Sequence, residues 1–372
     1  MAVKTYLKIF AVAFCASAIL FACQKDDESD NGNDSGVKYD DTPYQLEVGI
    51  LGTPNIPADN PLTVEGVKLG RMLFYEKRFS KNNLLSCAGC HRQEHAFTDT
   101  ARFSLGVRNK EGSRQSMSVF NMAWNSNEFF WDGRAHLLRD QSLMPIEDSL
   151  EMDESLENVI QKLSADQQYK DQFTRAFGSP EITTEKMSLA MEQFMNSIVS
   201  NDSKYDRYIN GLVSLDSNEE RGRVLFFSEF NPAFPSLSGA DCQHCHSAPN
   251  FENDAYMNNG LDTDAQMTDN GRMKATNSAS DKGKFKVPSL RNIELTAPYM
   301  HDGRFETLEE VIDHYNVGLQ NSTTLDPTLV YPLNNGGLQL TEEDKRDLIA
   351  FLKTLTDYSL ITNPEFSDPF KN

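Results

Sequence analysis

A mostly α fold in two similar halves is what this 372-residue sequence predicts. Apolar residues recur at three-to-four spacing through Asp153–Leu163, Thr184–Val199, Thr307–Tyr315 and Thr341–Leu355, the period of a helix with one buried face. No run alternates as a strand would. A short pattern also occurs twice, as Gly70-Arg71-Met72-Leu73-Phe74 and as Gly222-Arg223-Val224-Leu225-Phe226. Each copy is followed by a polar loop and then by Cys-x-x-Cys-His, so two homologous modules are the economical explanation.

The helices carry their own start signals. Thr307-Leu308-Glu309-Glu310 is a capping-box pattern, and Thr341-Glu342-Glu343-Asp344 is a weaker version of it. The polar stretch from Asn201 to Asn218 marks the boundary, giving modules at residues 43–204 and 205–372. Ahead of them, Lys4 and Lys8 precede an apolar run from Ile9 to Ala22, of signal-peptide rather than membrane-spanning length. Residues 1–22 therefore read as a signal peptide. Leu20-Phe21-Ala22-Cys23 resembles a lipobox, which would leave Cys23 as a lipidated N-terminus on a bacterial cell envelope, periplasm-facing or at the surface. Residues 23–42 have almost no apolar content and read as a disordered tether, so membrane contact is expected through the lipid alone. The formal charge of −20 argues against a nucleic-acid partner. It suits a basic redox partner, or serves solubility alone.

Cys87-Ala88-Gly89-Cys90-His91 and Cys242-Gln243-His244-Cys245-His246 are c-type haem attachment motifs. Two thiols at this spacing add across the two haem vinyls, and the imidazole that follows reaches the iron from the proximal side. His91 and His246 are thus the expected proximal ligands of two covalently bound haems c. A four-thiolate zinc site would bring its Cys-x-x-Cys units much closer together in sequence. A thioredoxin-like role would need a βαβ context, which is lacking. The expected architecture is two cytochrome c-like haem domains packed around an inter-haem interface.

The residues between and after the motifs resemble the di-haem cytochrome c peroxidase superfamily, including its MauG-type enzymes. The likeness runs from about Gly66 to Leu355 and rests on Cys87 to Asp99, Phe130-Trp131-Asp132-Gly133-Arg134-Ala135, Gln141 through Glu151-Met152, and Leu290-Arg291-Asn292 through Met300-His301-Asp302-Gly303. It implies that Trp131 lies between the haems and relays electrons. It implies that Glu151 is the distal-pocket acid that handles protons, with Gln141 and Pro145 lining the same pocket. It further implies a calcium ion held by the carbonyls of Thr296 and Pro298, with Gln115 where the family usually has an asparagine.

Two positions depart from the well-studied peroxidases. The histidine that caps their first iron falls on Val107, which cannot ligate, so a first haem open to peroxide without reductive activation is expected. The methionine ligand of their second iron falls on Tyr315, as in MauG-type enzymes, with Met300 as the rival ligand. Among the other histidines, His95 reads as a propionate or surface partner. His136 and His244 read as exposed, and His314 as facing away from Tyr315. His301 is expected to hydrogen-bond around the site, and Arg291 to pair with a propionate.

The function implied is reduction of hydrogen peroxide to water with electrons from a small cytochrome c or copper protein. One alternative is a MauG-like oxidase that uses peroxide-derived high-valent iron to oxidise a partner protein. The other is a non-catalytic electron-transfer cytochrome. Family members are often homodimers, although no interface patch is legible in the sequence.

Overall fold

The computed structural model describes residues 36–371. The expected signal peptide, Cys23 and the tether up to residue 35 lie outside the described residues. From Val37 onward the chain is one compact unit. Part of the segment expected as tether is paired with the first module: Asp40 N–H donates to Arg175 O at 2.9 Å, and Val64 N–H to Thr42 O at 2.9 Å.

Helices are the main regular structure of the described chain, joined by long irregular loops. In order come α1 (Val64–Tyr75), α2 (Cys87–Cys90), α3 (Leu138–Glu147), α4 (Leu156–Ser164), α5 (Gln167–Phe177), α6 (Thr184–Ser197), α7 (Lys204–Ile209) and α8 (Ser217–Phe227). Then follow β1 (Tyr256–Met257), α9 (Met273–Thr276), β2 (Phe285–Lys286), α10 (Leu308–Asp313), α11 (Pro327–Asn334), α12 (Glu342–Lys353) and α13 (Tyr358–Thr362). The two strands pair antiparallel, with Tyr256 opposite Lys286.

Capping sets the helix starts. Thr307 Oγ1 accepts from Glu310 N–H at 3.2 Å while Glu310 returns a bond to Thr307 N–H, and Thr341 and Asp344 do the same. The polar stretch from Asn201 to Asn218 is not simple linker, because Ser203 and Asp206 form a capping box that starts α7. Asp206 then binds Arg291 through two bonds of 2.8 Å, and Pro249 O accepts from Nε and Nη2 of the same guanidinium. This corrects the propionate role expected for Arg291, whose charge is fully used in a buried pair.

The buried apolar residues form two clusters. One runs from Leu62 to Ile198 and is built where α1 crosses α6; the other runs from Tyr205 to Leu355, where α8 crosses α12. The repeated glycines are the crossing points. A Cβ at Gly70 would collide with the Ala190 carbonyl and one at Gly222 with the Asp347 carbonyl, so only glycine lets each helix pair close. Phe74 then meets Phe194 at 5.3 Å and Phe226 meets Phe351 at 5.2 Å.

A second correspondence ties each module's loop to its last helix. Asn121 donates its N–H to Ile198 O and accepts from Ser200 N–H, while Asn292 donates to Leu355 O and accepts from Asp357 N–H. The C-terminal tail does not stay with the second cluster. Leu360 and Phe366 are buried in the first.

Candidate active site

Each attachment motif folds as a single tight turn. His91 N–H donates to Cys87 O and His246 N–H to Cys242 O, both at 2.9 Å, which brings two thiols and one imidazole to the same side. The two rings are held alike. His91 Nδ1 donates to Phe97 O at 3.0 Å, and His246 Nδ1 donates to Phe251 O at 3.2 Å and Pro288 O at 3.1 Å. Burial lowers the pKa of both, that of His246 to about 4, which favours the neutral form of the rings. With Nδ1 carrying the proton, Nε2 keeps its lone pair for a metal. The four thiols are free. These residues fit covalently attached haem at both places.

Cys87, Cys90 and His91 open onto a cavity of about 490 Å³, and the walls bring together what the sequence separates. Trp131, Gln141, Pro145 and Glu151 line it, as do Gln115, Thr296, Pro298 and Met300. Among the described residues, His91 is the one histidine in its lining. His95 sits outside it on a half-buried 3-10 turn.

Glu151 is presented by a loop fixed from several sides. Val107 N–H donates to Glu151 O at 2.8 Å, Lys81 N–H to Met152 O at 3.0 Å, and Met152 N–H to Pro145 O at 3.2 Å. Gly106 lies so close that a Cβ there would collide with Leu150 O. Arg108 and Lys81 both bind Asp153 just beyond. The backbone at Val107 therefore helps anchor the segment that carries the acid. Burial, with Asp148 nearby, raises the Glu151 carboxyl to about 7, against a smaller opposing effect of Arg134. Glu252, which lines the same cavity, is likewise raised to about 7, by burial and by Asp254.

Trp131 is stitched to both modules. Its indole N–H donates to Gln115 O at 2.8 Å, and its carbonyl accepts from Lys286 N–H at 2.8 Å, in β2. Gln115 in turn donates its N–H to His301 O and its amide NH2 to Thr98 Oγ1, each at 2.8 Å. His301 makes a flat stack on Phe285, with centroids 3.6 Å apart. Packing, rather than the expected hydrogen bonding, holds its ring.

On the second site, the two rival ligands are neighbours. Asn259 Nδ2 lies 3.4 Å from both Tyr315 Oη and Met300 Sδ. Tyr315 is on a π-helical turn, His314–Gly318, that continues α10. Its phenol is pushed up by burial, with Cys242 and Cys245 nearby adding to the effect. His314 is buried beside it rather than facing away, and its Nε2 donates to Asn259 O at 2.9 Å. His136 and His244 are exposed, as expected.

Sequence reasoning missed a signal here. Phe130-Trp131-Asp132-Gly133-Arg134 and Met300-His301-Asp302-Gly303-Arg304 are copies of one turn, with φ of 68° and 75° at the first residue and 72° and 59° at the glycine. Matching strand-like bridges close both, Phe129 with Ala135 and Tyr299 with Phe305. In this register Tyr315 corresponds to Pro145. One module thus puts a phenol where the other puts a ring that cannot ligate.

Residues 64–214 match the family model for di-haem cytochrome c peroxidase. The chain is 34% identical over 312 residues to the methylamine utilization protein MauG of Methylorubrum extorquens, covering 83% of each chain. It is 32% identical over 321 residues to the cytochrome c551 peroxidase of Nitrosomonas europaea, covering 84% of this chain and 85% of that one. The chain belongs to the di-haem cytochrome c peroxidase family. Among solved structures, a MauG-like protein associated with microbial copper homeostasis superposes with a TM-score of 0.78 at 35% identity, over 88% of this chain and 99% of that one. As a member of the di-haem family, the chain carries two c-type haems and is an oxidoreductase of the peroxidase type.

Proposed function

We propose that this di-haem peroxidase reduces hydrogen peroxide to water in the His91 cavity, with electrons from a small cytochrome c or copper protein entering at the His246 site. The observation that carries the reading is that Glu151 lines the same cavity as His91, with its carboxyl raised to about 7. The first haem, when bound, supplies the iron that takes the peroxide oxygen. Glu151 then receives a proton from the inner oxygen and returns it to the outer one, and Gln141 orients the peroxide by its amide. The balance is two electrons and two protons consumed for two waters formed. Trp131, bonded to Gln115 on one side and to β2 on the other, joins the two sites. Val107 leaves the cavity without a second histidine, so no prior reduction is needed.

A MauG-like oxidation of a partner protein is the second reading, favoured by Tyr315 near Cys242 and Cys245 of the second attachment motif. We further propose a calcium ion held by the carbonyls of Thr296 and Pro298 with Gln115, three residues that line the same cavity. Anchoring through a lipid on Cys23 at the cell envelope completes the proposal. The test is to add peroxide to the ferric protein as isolated and then supply a reduced cytochrome. Rapid catalytic donor oxidation is the expected result. A long-lived oxidised species with poor turnover would favour the second reading, and no reaction with peroxide would overturn both.

A further inference from the structure

We infer that the C-terminal tail, residues 358–371, is a strap from the second module that positions the proximal histidine of the first, with Phe366 as its positioning residue. The inference rests on His91 being the proximal ligand of the first haem. The tail leaves the second core at Asp357, a fully buried carboxylate. Asp357 accepts from Ser359 and Leu360 N–H on the tail side, and from Asn201 and Asp202 N–H on the inter-module segment. One residue therefore fixes both the tail's departure and the crossing between modules.

Beyond Asp357 the tail is gripped by several side chains of the first module. Gln93 Nε2 donates to Leu360 O at 3.0 Å and to Asn363 O at 2.8 Å. Arg71 donates to Ser367 O at 2.6 Å and to Pro364 O at 2.7 Å, and Tyr75 Oη donates to Phe366 O at 2.7 Å. The Phe366 ring packs edge-on to Phe97, centroids 6.4 Å apart, and is 5% exposed.

Phe97 is where the strap meets the chemistry. Its carbonyl accepts the hydrogen bond from His91 Nδ1–H, and its φ of 60° is one that a bulky residue adopts only under constraint. Phe74 and Phe366 both pack edge-on against its ring, at 6.2 and 6.4 Å. Gln93 ties down the turn that joins His91 to Phe97. The second module has the same bond, His246 to Phe251 O, but buttresses it with Tyr205, Phe226 and Phe351 of its own. The first module borrows part of its support from the far end of the chain.

The experiment uses the full-length di-haem protein. A proximal Nδ1–H bond strengthens the imidazole as a donor, so its loosening lowers the iron–histidine stretching frequency and shifts the haem potential. In Phe366→Ala, the ferrous iron–histidine Raman band is expected at lower frequency and the first-haem potential shifted, with the second-haem potential unchanged. Phe366→Leu should restore both. Arg71→Gln, which keeps the core intact, should give a smaller shift of the same sign and guards against a misfolded Phe366→Ala. Wild-type values for the first haem in both variants, with only a lowered melting temperature, would overturn the inference. Equal shifts at both haems would do so too. A wild-type protein lacking the Raman band would instead count against an open first haem, and the two potentials then decide on the strap alone.

Discussion

At Glu151 one physical cause, burial, serves catalysis and costs stability. The native carboxyl keeps its proton up to about 7, while the unfolded one loses it near 4.5. Between those values the native state binds more protons, so this group's contribution to stability falls as pH rises. Glu151→Gln removes that slope. The variant should melt no lower than wild type at pH 8 yet lose roughly 10²–10⁴-fold in peroxide turnover, with both haem spectra intact. Wild-type turnover should rise through pH 7 as the carboxylate forms, and a flat profile would remove Glu151 from the proton path. Tyr315 gives a second test at this scale. Tyr315→Phe should change the spectrum of the second haem while leaving peroxide binding at the first, whereas Met300→Leu should not. The opposite pattern would make Met300 the ligand, and the shared contact of both with Asn259 shows why the sequence left them open.

Elements in this fold meet at glycines, and that reverses an ordinary expectation. Glycine to alanine in a helix interior normally stabilises by about 0.5–1 kcal/mol. Gly70 and Gly222 sit where α1 meets α6 and α8 meets α12, and an added methyl would strike a backbone carbonyl that cannot swing aside. Gly70→Ala and Gly222→Ala should therefore destabilise by about 1–3 kcal/mol or more, the scale of overpacking, read as a lowered denaturation midpoint. Neutral substitutions would mean the helices are not in this contact. Gly106→Ala works through a loop instead. It should displace Leu150 and Glu151, lowering turnover at unchanged haem content.

For the whole molecule, the excess of acidic over basic residues makes association with a basic donor sensitive to salt. Donor oxidation should slow as ionic strength rises, with peroxide reactivity unaffected, because a small neutral substrate feels no long-range field. A donor rate independent of salt would point to an apolar docking face. The two modules are also less separable than a boundary near residue 204 implies. Asp357 and the tail return second-module chain to the first core, so truncation after Asp357 should weaken the first module most, as seen in the melting of its haem absorbance.

Local chemistry is what the sequence determined by itself. Cys-x-x-Cys-His specifies its own turn, Thr307 and Glu310 cap their helix, and the glycine-led repeat announces two modules, because each depends on residues a few positions apart. The family's motif strings added Trp131, Gln141 and Glu151, which the fold brings to one cavity. Tertiary structure decided what depends on distant partners. Arg291 went to Asp206 rather than to a propionate, His314 turned inward to Asn259, and His301 was stacked on Phe285. Each is a polar group whose partner is set by which loops cross, and no spacing along the chain encodes that. The attachment motifs fix where each proximal histidine stands; the far end of the chain helps decide how firmly the first one is held.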